Sequence, residues 1–125
     1  MNFGNAWKDF LGECSKETAF EMLDYFYAQG GNFIDTAVNY QNEESEIWLG
    51  EWMQARSNNS TGVNRRDEIV LATKYTGGFK TYLKNEVQQS NFGGTGTKSM
   101  FVSLEASLKK LQTSYIDLVS LTSLY

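Results

Sequence analysis

Three residues of this chain have the types and the spacing to move a proton: Asp35, Tyr40 and Lys74. Asp35 closes the short apolar run Phe33-Ile34, and Tyr40 follows where a strand should be giving way to a loop. Lys74 closes a second apolar run, Ile69-Val70-Leu71-Ala72-Thr73. A carboxylate at the end of a buried strand is costly unless it is paired, and a lysine at the same end of a neighbouring strand would neutralise it. The same ammonium could serve a phenol, which ionises near pH ~10 in water and needs an adjacent cation to act as an acid near neutrality. The plainer reading is a strand-joining ion pair, with Tyr40 one of seven tyrosines, packed at a loop.

Other chemistries are excluded by composition. Histidine is absent, which removes Ser-His-Asp and Cys-His catalysis and the commonest metal ligand. Cys14 is the single cysteine, so no intramolecular disulfide, redox pair or cysteine-rich zinc site can be built. A net charge of -4, with scattered lysines and arginines, argues against nucleic acid as a partner. No run approaches the ~18 apolar residues of a membrane span, and the N-terminus lacks the basic and apolar regions of a signal peptide, so a cytoplasmic location is expected. With 125 residues the chain has material for one modest core, and residues 1–125 are expected to form a single domain or part of one.

The elements that must position the three residues alternate along the chain. Ser15 can cap a helix whose apolar positions Ala19, Phe20, Leu23, Phe26 and Tyr27 recur at helical spacing, and Gly30-Gly31 end it. A strand over 32–37 follows, then a helix from about Glu43 to Arg56 with Trp48, Leu49, Trp52 and Met53 on one face. Glu44, Glu46 and Glu51 read as its solvated side. Residues 57–66 read as a loop before the strand Glu68–Tyr75, whose continuous apolar run suits a parallel strand buried on both faces. A loop of over twenty residues, Thr76 to Lys98, has the length of a flexible substrate-side segment. A third helix, about Ser99 to Gln112, presents Phe101, Leu104, Leu108 and Leu111, and Tyr115–Leu121 reads as another buried strand. Strands alternating with helices predict a parallel α/β fold, in which function sits at the carboxyl ends of the strands. No Gly-rich turn follows the first strand as an open dinucleotide-binding sheet would need, so a barrel is the better choice.

Four blocks then carry a family resemblance: Gly-Asn-Phe-Ile-Asp-Thr-Ala-Val-Asn-Tyr at 31–40, Glu-Ser-Glu-Ile-Trp-Leu-Gly at 44–50, Ile-Val-Leu-Ala-Thr-Lys at 69–74, and Ser-Leu-Lys-Lys-Leu-Gln-Thr-Ser-Tyr-Ile-Asp-Leu at 107–118. Together they resemble the aldo-keto reductases, and among them fungal aryl-alcohol dehydrogenases and norsolorinic acid reductases. The resemblance implies a (β/α)8 barrel, of which this chain would be the incomplete N-terminal half. It implies NADP(H) as cofactor and an aldehyde or ketone as substrate, reduced by hydride transfer in fungal secondary metabolism of the polyketide-toxin kind. By motif position Tyr40 is the general acid, with Lys74 and Asp35 supporting it, and Asp35 and Thr36 lie by the nicotinamide. The family's histidine would fall where Thr122 stands, and most cofactor-phosphate contacts would come from the other half. The expected product is therefore a truncated and inactive reductase. The alternative it leaves is a non-catalytic module that docks on a full-length reductase through open sheet edges.

Overall fold

A computed structural model describes residues 1–57 and 62–121. Three strands form one parallel sheet in the order β1 (Phe33–Asp35), β2 (Val70–Tyr75), β3 (Leu118–Leu121). Ile34 stands opposite Leu71, and Lys74 opposite Ser120. The first ladder runs on past β1, because the Thr36 amide donates to the Ala72 carbonyl at 2.9 Å and the Val38 amide to the Lys74 carbonyl at 3.1 Å. Ladder hydrogen bonds thus continue to Val38, where a turn begins, while the strand itself takes up residues 33–35 of the 32–37 predicted.

Helices make every crossover. α1 (Lys8–Leu11) and α2 (Lys16–Ala28) precede β1, α3 (Glu44–Ala55) and α4 (Arg65–Glu68) link β1 to β2, and α5 (Thr97–Leu111) links β2 to β3. Ser15 caps α2 as predicted: its hydroxyl accepts from the Thr18 amide at 3.1 Å, a contact generally worth about 1 kcal/mol. α5 ends on Gln112 at φ 53°, and the Thr113 amide turns back to the Leu108 carbonyl at 3.2 Å, which satisfies carbonyls the last turn leaves open. The core between sheet and helices is Leu23, Ile34, Leu49, Trp52, Met53, Ile69, Leu71 and Leu111. Trp52 is its largest side chain, and its indole N–H reaches out to Asp24 Oδ1 at 2.8 Å. The Arg56 guanidinium clasps the same carboxylate and holds it below the ordinary aspartate range.

Several sequence expectations are corrected by packing. α5 does not bury Phe101, Leu104 and Leu108; it buries Ser99, Ser103, Ser107 and Leu111, and leaves Phe101 60% exposed. The cause lies in α3, where a Cβ on Gly50 would sit 2.2 Å from the Lys110 carbonyl oxygen. Two helix backbones that close admit only small side chains between them, so serines displace leucines from the contact. β3 is not buried on both faces, since it lies at a sheet edge and Leu118 and Leu121 are 50% and 61% exposed. Glu46 is not on a solvated face: it is fully buried. The stretch predicted as loop over 57–66 ends in the first residues of α4, capped by Asn64, whose side chain accepts from the Arg66 amide at 2.9 Å. Its residues 58–61 lie outside the described residues. The long loop before α5 is organised by 3-10 turns at Thr81–Glu86 and Gln89–Asn91 and by the buried ring of Phe79.

Candidate active site

The strand ends bring the predicted residues together. Lys74, at the carboxyl end of β2, extends across to β1, where its ammonium pairs with Asp35 and donates to the Thr36 carbonyl at 2.9 Å. The same ammonium lies 5.0 Å from the centre of the Tyr40 ring, on its face. Trp7 meets the Tyr40 ring edge-on, with centroids 6.5 Å apart. Asp35, Thr36 and Tyr40 line a cavity of about 300 Å³, closed on the other side by Met1, Asn2 and Phe3 and floored by Ile34 and Leu49. Thr122, where the sequence pattern would place a fourth group, lies outside the described residues.

What aims Tyr40 is a backbone device that the sequence did not suggest. Gln41, Asn42 and Glu43 all have positive φ, at 53°, 51° and 84°. A left-handed conformation costs a non-glycine residue roughly 1–2 kcal/mol, so three in succession must be held by their surroundings. Each of the three side chains supplies that hold. The Gln41 amide oxygen accepts from the Trp7 backbone N–H at 2.7 Å while its amide nitrogen donates to the Met1 carbonyl at 3.0 Å. Asn42 Oδ1 accepts from the Trp7 indole at 2.9 Å. Glu43 Oε2 receives the Lys80 ammonium and, at 2.7 Å, the Tyr82 hydroxyl, while Oε1 lies 3.1 Å from Lys110 Nζ. Gly4 matters to the same turn: at φ +140° it is open to few other residues, and a Cβ there would be 2.4 Å from Gln41 Cβ.

Lys110 ties this turn to the sheet and to α5. Its ammonium donates to the Val38 carbonyl at 2.8 Å and lies 3.0 Å from Glu46 Oε2, a charge contact outside hydrogen-bonding angle. Glu46 Oε1 accepts from the Thr73 hydroxyl at 2.6 Å, one residue before Lys74. A buried network therefore runs from the β2 end through α3 to the turn that carries Tyr40. Burial works to raise the Glu43 carboxyl, but bonds from Lys80 and Tyr82 and the charge of Lys110 outweigh it and leave it below the ordinary glutamate value. Tyr82, donating to that carboxylate, is pushed up. The sequence pattern marks Glu43 only as the start of the helix and offers no role for Lys80 or Lys110. Nothing in their spacing announces that three distant segments converge.

One buried atom at the cavity lacks a partner. Thr36 Oγ1 is among the buried side-chain oxygens with no hydrogen bond. A buried hydroxyl left unpaired is costly, and one that lines a cavity beside a carboxylate and a phenol suits a polar ligand that would complete it. A carboxamide or ribose hydroxyl of a nicotinamide nucleotide has that donor and acceptor character, so the residues present fit such a group. No histidine, cysteine, aspartate or glutamate cluster suited to a metal occurs among the described residues.

Comparison with known proteins bears on the fold and the family. Norsolorinic acid reductase B of Dothistroma septosporum is 60% identical over 119 residues, which are 95% of this chain and 28% of that protein. Norsolorinic acid reductase B of Aspergillus parasiticus is also 60% identical, over 95% of this chain and 29% of its own length. Aryl-alcohol dehydrogenase GME11368 of Pestalotiopsis microspora is 56% identical, over 95% and 29%. The chain thus spans less than a third of the length of these relatives. Among solved structures, the holo form of aldo-keto reductase AKR11C1 from Bacillus halodurans superposes with a TM-score of 0.62 at 26% identity, covering 97% of this chain and 35% of that one. Three parallel strands with their helices are accordingly part of a (β/α)8 barrel. The aldo/keto reductase family model matches residues 1–124, and the chain belongs to that family.

Proposed function

We propose that this chain carries the proton-donating part of an NADP(H)-dependent carbonyl reductase, acting on an aldehyde or ketone of aryl or polyketide type in the cytoplasm. The observation that carries the reading is the Lys74 ammonium, joined to Asp35 and the Thr36 carbonyl and set on the face of Tyr40 at the mouth of a cavity. In this reading the nicotinamide, when bound, supplies the hydride, and Asp35 and Thr36 hold it. Tyr40 gives its hydroxyl proton to the carbonyl oxygen as that oxygen gains charge. Lys74 places a cation beside the resulting phenolate, and Asp35 keeps the ammonium in position. Leu49, Ile34 and Phe3 keep the cavity apolar on the side away from these groups. The names of the relatives support the substrate class. The remaining two-thirds of their length would supply the other cofactor contacts, so turnover by the 125 residues alone is not expected.

The test is titration of the purified chain with NADPH, followed by NADPH consumption with an aryl aldehyde. Saturable binding that is weakened by Thr36→Val supports the cofactor assignment, and turnover abolished by Tyr40→Phe would show the chain to be an enzyme by itself. Absence of binding by a chain that circular dichroism shows to be folded would remove the cofactor reading for these residues. It would favour a second reading, a non-catalytic module that docks on a full-length reductase. What supports that alternative is the pair of sheet edges, with Phe33 53% exposed on β1 and Leu118 and Leu121 on β3. Co-purification with such a reductase tests it.

A further inference from the structure

A second concavity lies away from the strand ends, between α5 and the loop that precedes it, with a volume of about 420 Å³. Its floor is aromatic and fixed. The Phe79 ring is buried, meets Phe92 edge-on at a centroid distance of 5.4 Å, and has the ammonium groups of Lys80 and Lys110 each 5.3 Å from its centre. The Phe79 amide also donates to the Phe92 carbonyl at 3.2 Å, which ties the two ring-bearing residues together. Phe101, on the first turns of α5, lines the same groove and is exposed far beyond what helix packing explains. Three rings therefore converge on a space large enough for a small fused aromatic.

The charges around it are unequal. Lys80, Lys98 and Lys109 line the groove against a single acid, Glu105, in a chain whose net charge is -4. Lys80 is committed to Glu43, and Lys109 stands one helical turn after Glu105, within reach of a fluctuating pair. Lys98 has no ion-pair partner among the described residues, and it stands at the opening of α5, on the turn before Phe101. Glu105, two turns further on, opposes a second negative charge at the other end. The arrangement selects one negative charge at one end of a flat apolar body.

We propose that this groove binds an aromatic monocarboxylate, its rings on Phe92 and Phe101 above the buried Phe79 and its carboxylate at Lys98. The site is separate from the cavity that holds Asp35 and Tyr40 and does not depend on the carbonyl-reductase reading. The ring contacts give the larger part of the affinity, and Lys98 supplies the preference for an acid over a neutral analogue.

The experiment is a titration of the isotopically labelled 125-residue chain with 2-naphthoate and, separately, with the neutral 2-naphthalenemethanol, followed by amide resonances. The expected result is saturable shifts confined to residues 79–80, 92 and 97–109, with the acid bound about two- to fivefold more tightly than the alcohol, as befits one exposed charge contact. Lys98→Gln should remove that preference by weakening the acid and leaving the alcohol unchanged. Phe101→Ala, at an exposed position, should weaken both, while Lys109→Gln should alter either by less than twofold. Equal affinity for acid and alcohol, indifference of the acid to Lys98→Gln, shifts centred on Asp35 and Tyr40, or no saturation up to ~10 mM would each overturn the proposal.

Discussion

Replacing Glu43 by glutamine should uncouple the Tyr40 turn from α5 and the long loop. The carboxylate is nearly enclosed and meets two ammonium groups and a phenol. Removing one partner of a buried pair costs about 3–5 kcal/mol when the other charge is stranded. Here neither cation is fully stranded. Lys110 keeps the Val38 carbonyl and Glu46, and Lys80 remains about a quarter exposed. Glutamine also still accepts from Tyr82. The loss should therefore fall to about 2–3 kcal/mol, which for a chain of this size is roughly 10 °C in Tm. The pH dependence supplies a second sign. The folded carboxyl is held below its ordinary value, so its contribution is fully present above the unfolded pKa of about 4.3 and is lost as pH falls through the lowered folded value. Thermal unfolding of the two chains should differ by the full amount at pH 7 and converge on acidification below about pH 4. A difference under about 0.5 kcal/mol at pH 7, or one that grows on acidification, would refute the account of this network.

Further outcomes follow from single contacts. Gly50→Ala must push a methyl into the α5 backbone, with the nearest atoms at 2.2 and 2.8 Å and none of them a flexible side-chain end, so denaturant unfolding should show a loss of at least about 2–3 kcal/mol. Asp117→Asn leaves the buried Arg66 guanidinium with carbonyl and hydroxyl partners only, and should cost about 2 kcal/mol by the same measurement. Burial raises the Asp117 carboxyl, but the Leu71 amide and Arg66 together bring it below the ordinary value, so this cost too should fade as pH drops below about 4. Lys74→Met should leave far-ultraviolet circular dichroism unchanged while abolishing any NADPH turnover, because the ammonium is peripheral to the apolar core and central to the site.

How much of this was legible in the sequence depends on distance along the chain. Ser15, Gly30 and the apolar run before Lys74 report on neighbours within a few residues, and the elements they imply are present. Asp35 and Lys74 were legible as a pair because parallel strands place equivalent ends side by side, so one topological inference made a contact between residues 39 apart. The face of α5 was misread because leucine periodicity reports which residues are apolar, while the contact itself is set by Gly50 on another helix. Glu46 was misread for a related reason. Its partners, Thr73 and Lys110, lie 27 and 64 positions away, and charge alone suggested solvent.

The same distinction bears on what three strands of a barrel can accomplish. Asp35, Thr36 and Lys74 occupy two adjacent strand ends, and Tyr40 is aimed by a turn whose supports come from α5 and the segments around Met1, Trp7, Lys80 and Tyr82. Every one of those supports lies within this chain. On the proposed reading, barrel closure is therefore not needed to assemble the proton-donating group; β3 and the outer side of β1 carry exposed apolar residues that face no described neighbour across the sheet edge. An acid–base site confined to two neighbouring strands can be intact in a partial barrel, whereas a cofactor held across the whole strand-end face cannot. Binding and proton donation should accordingly separate in this chain. Lys74 and Tyr40 should remain associated in the folded 125 residues, detectable as an upfield ring-current shift of the Lys74 ε-methylene protons that Tyr40→Leu abolishes, whatever the affinity for NADPH proves to be.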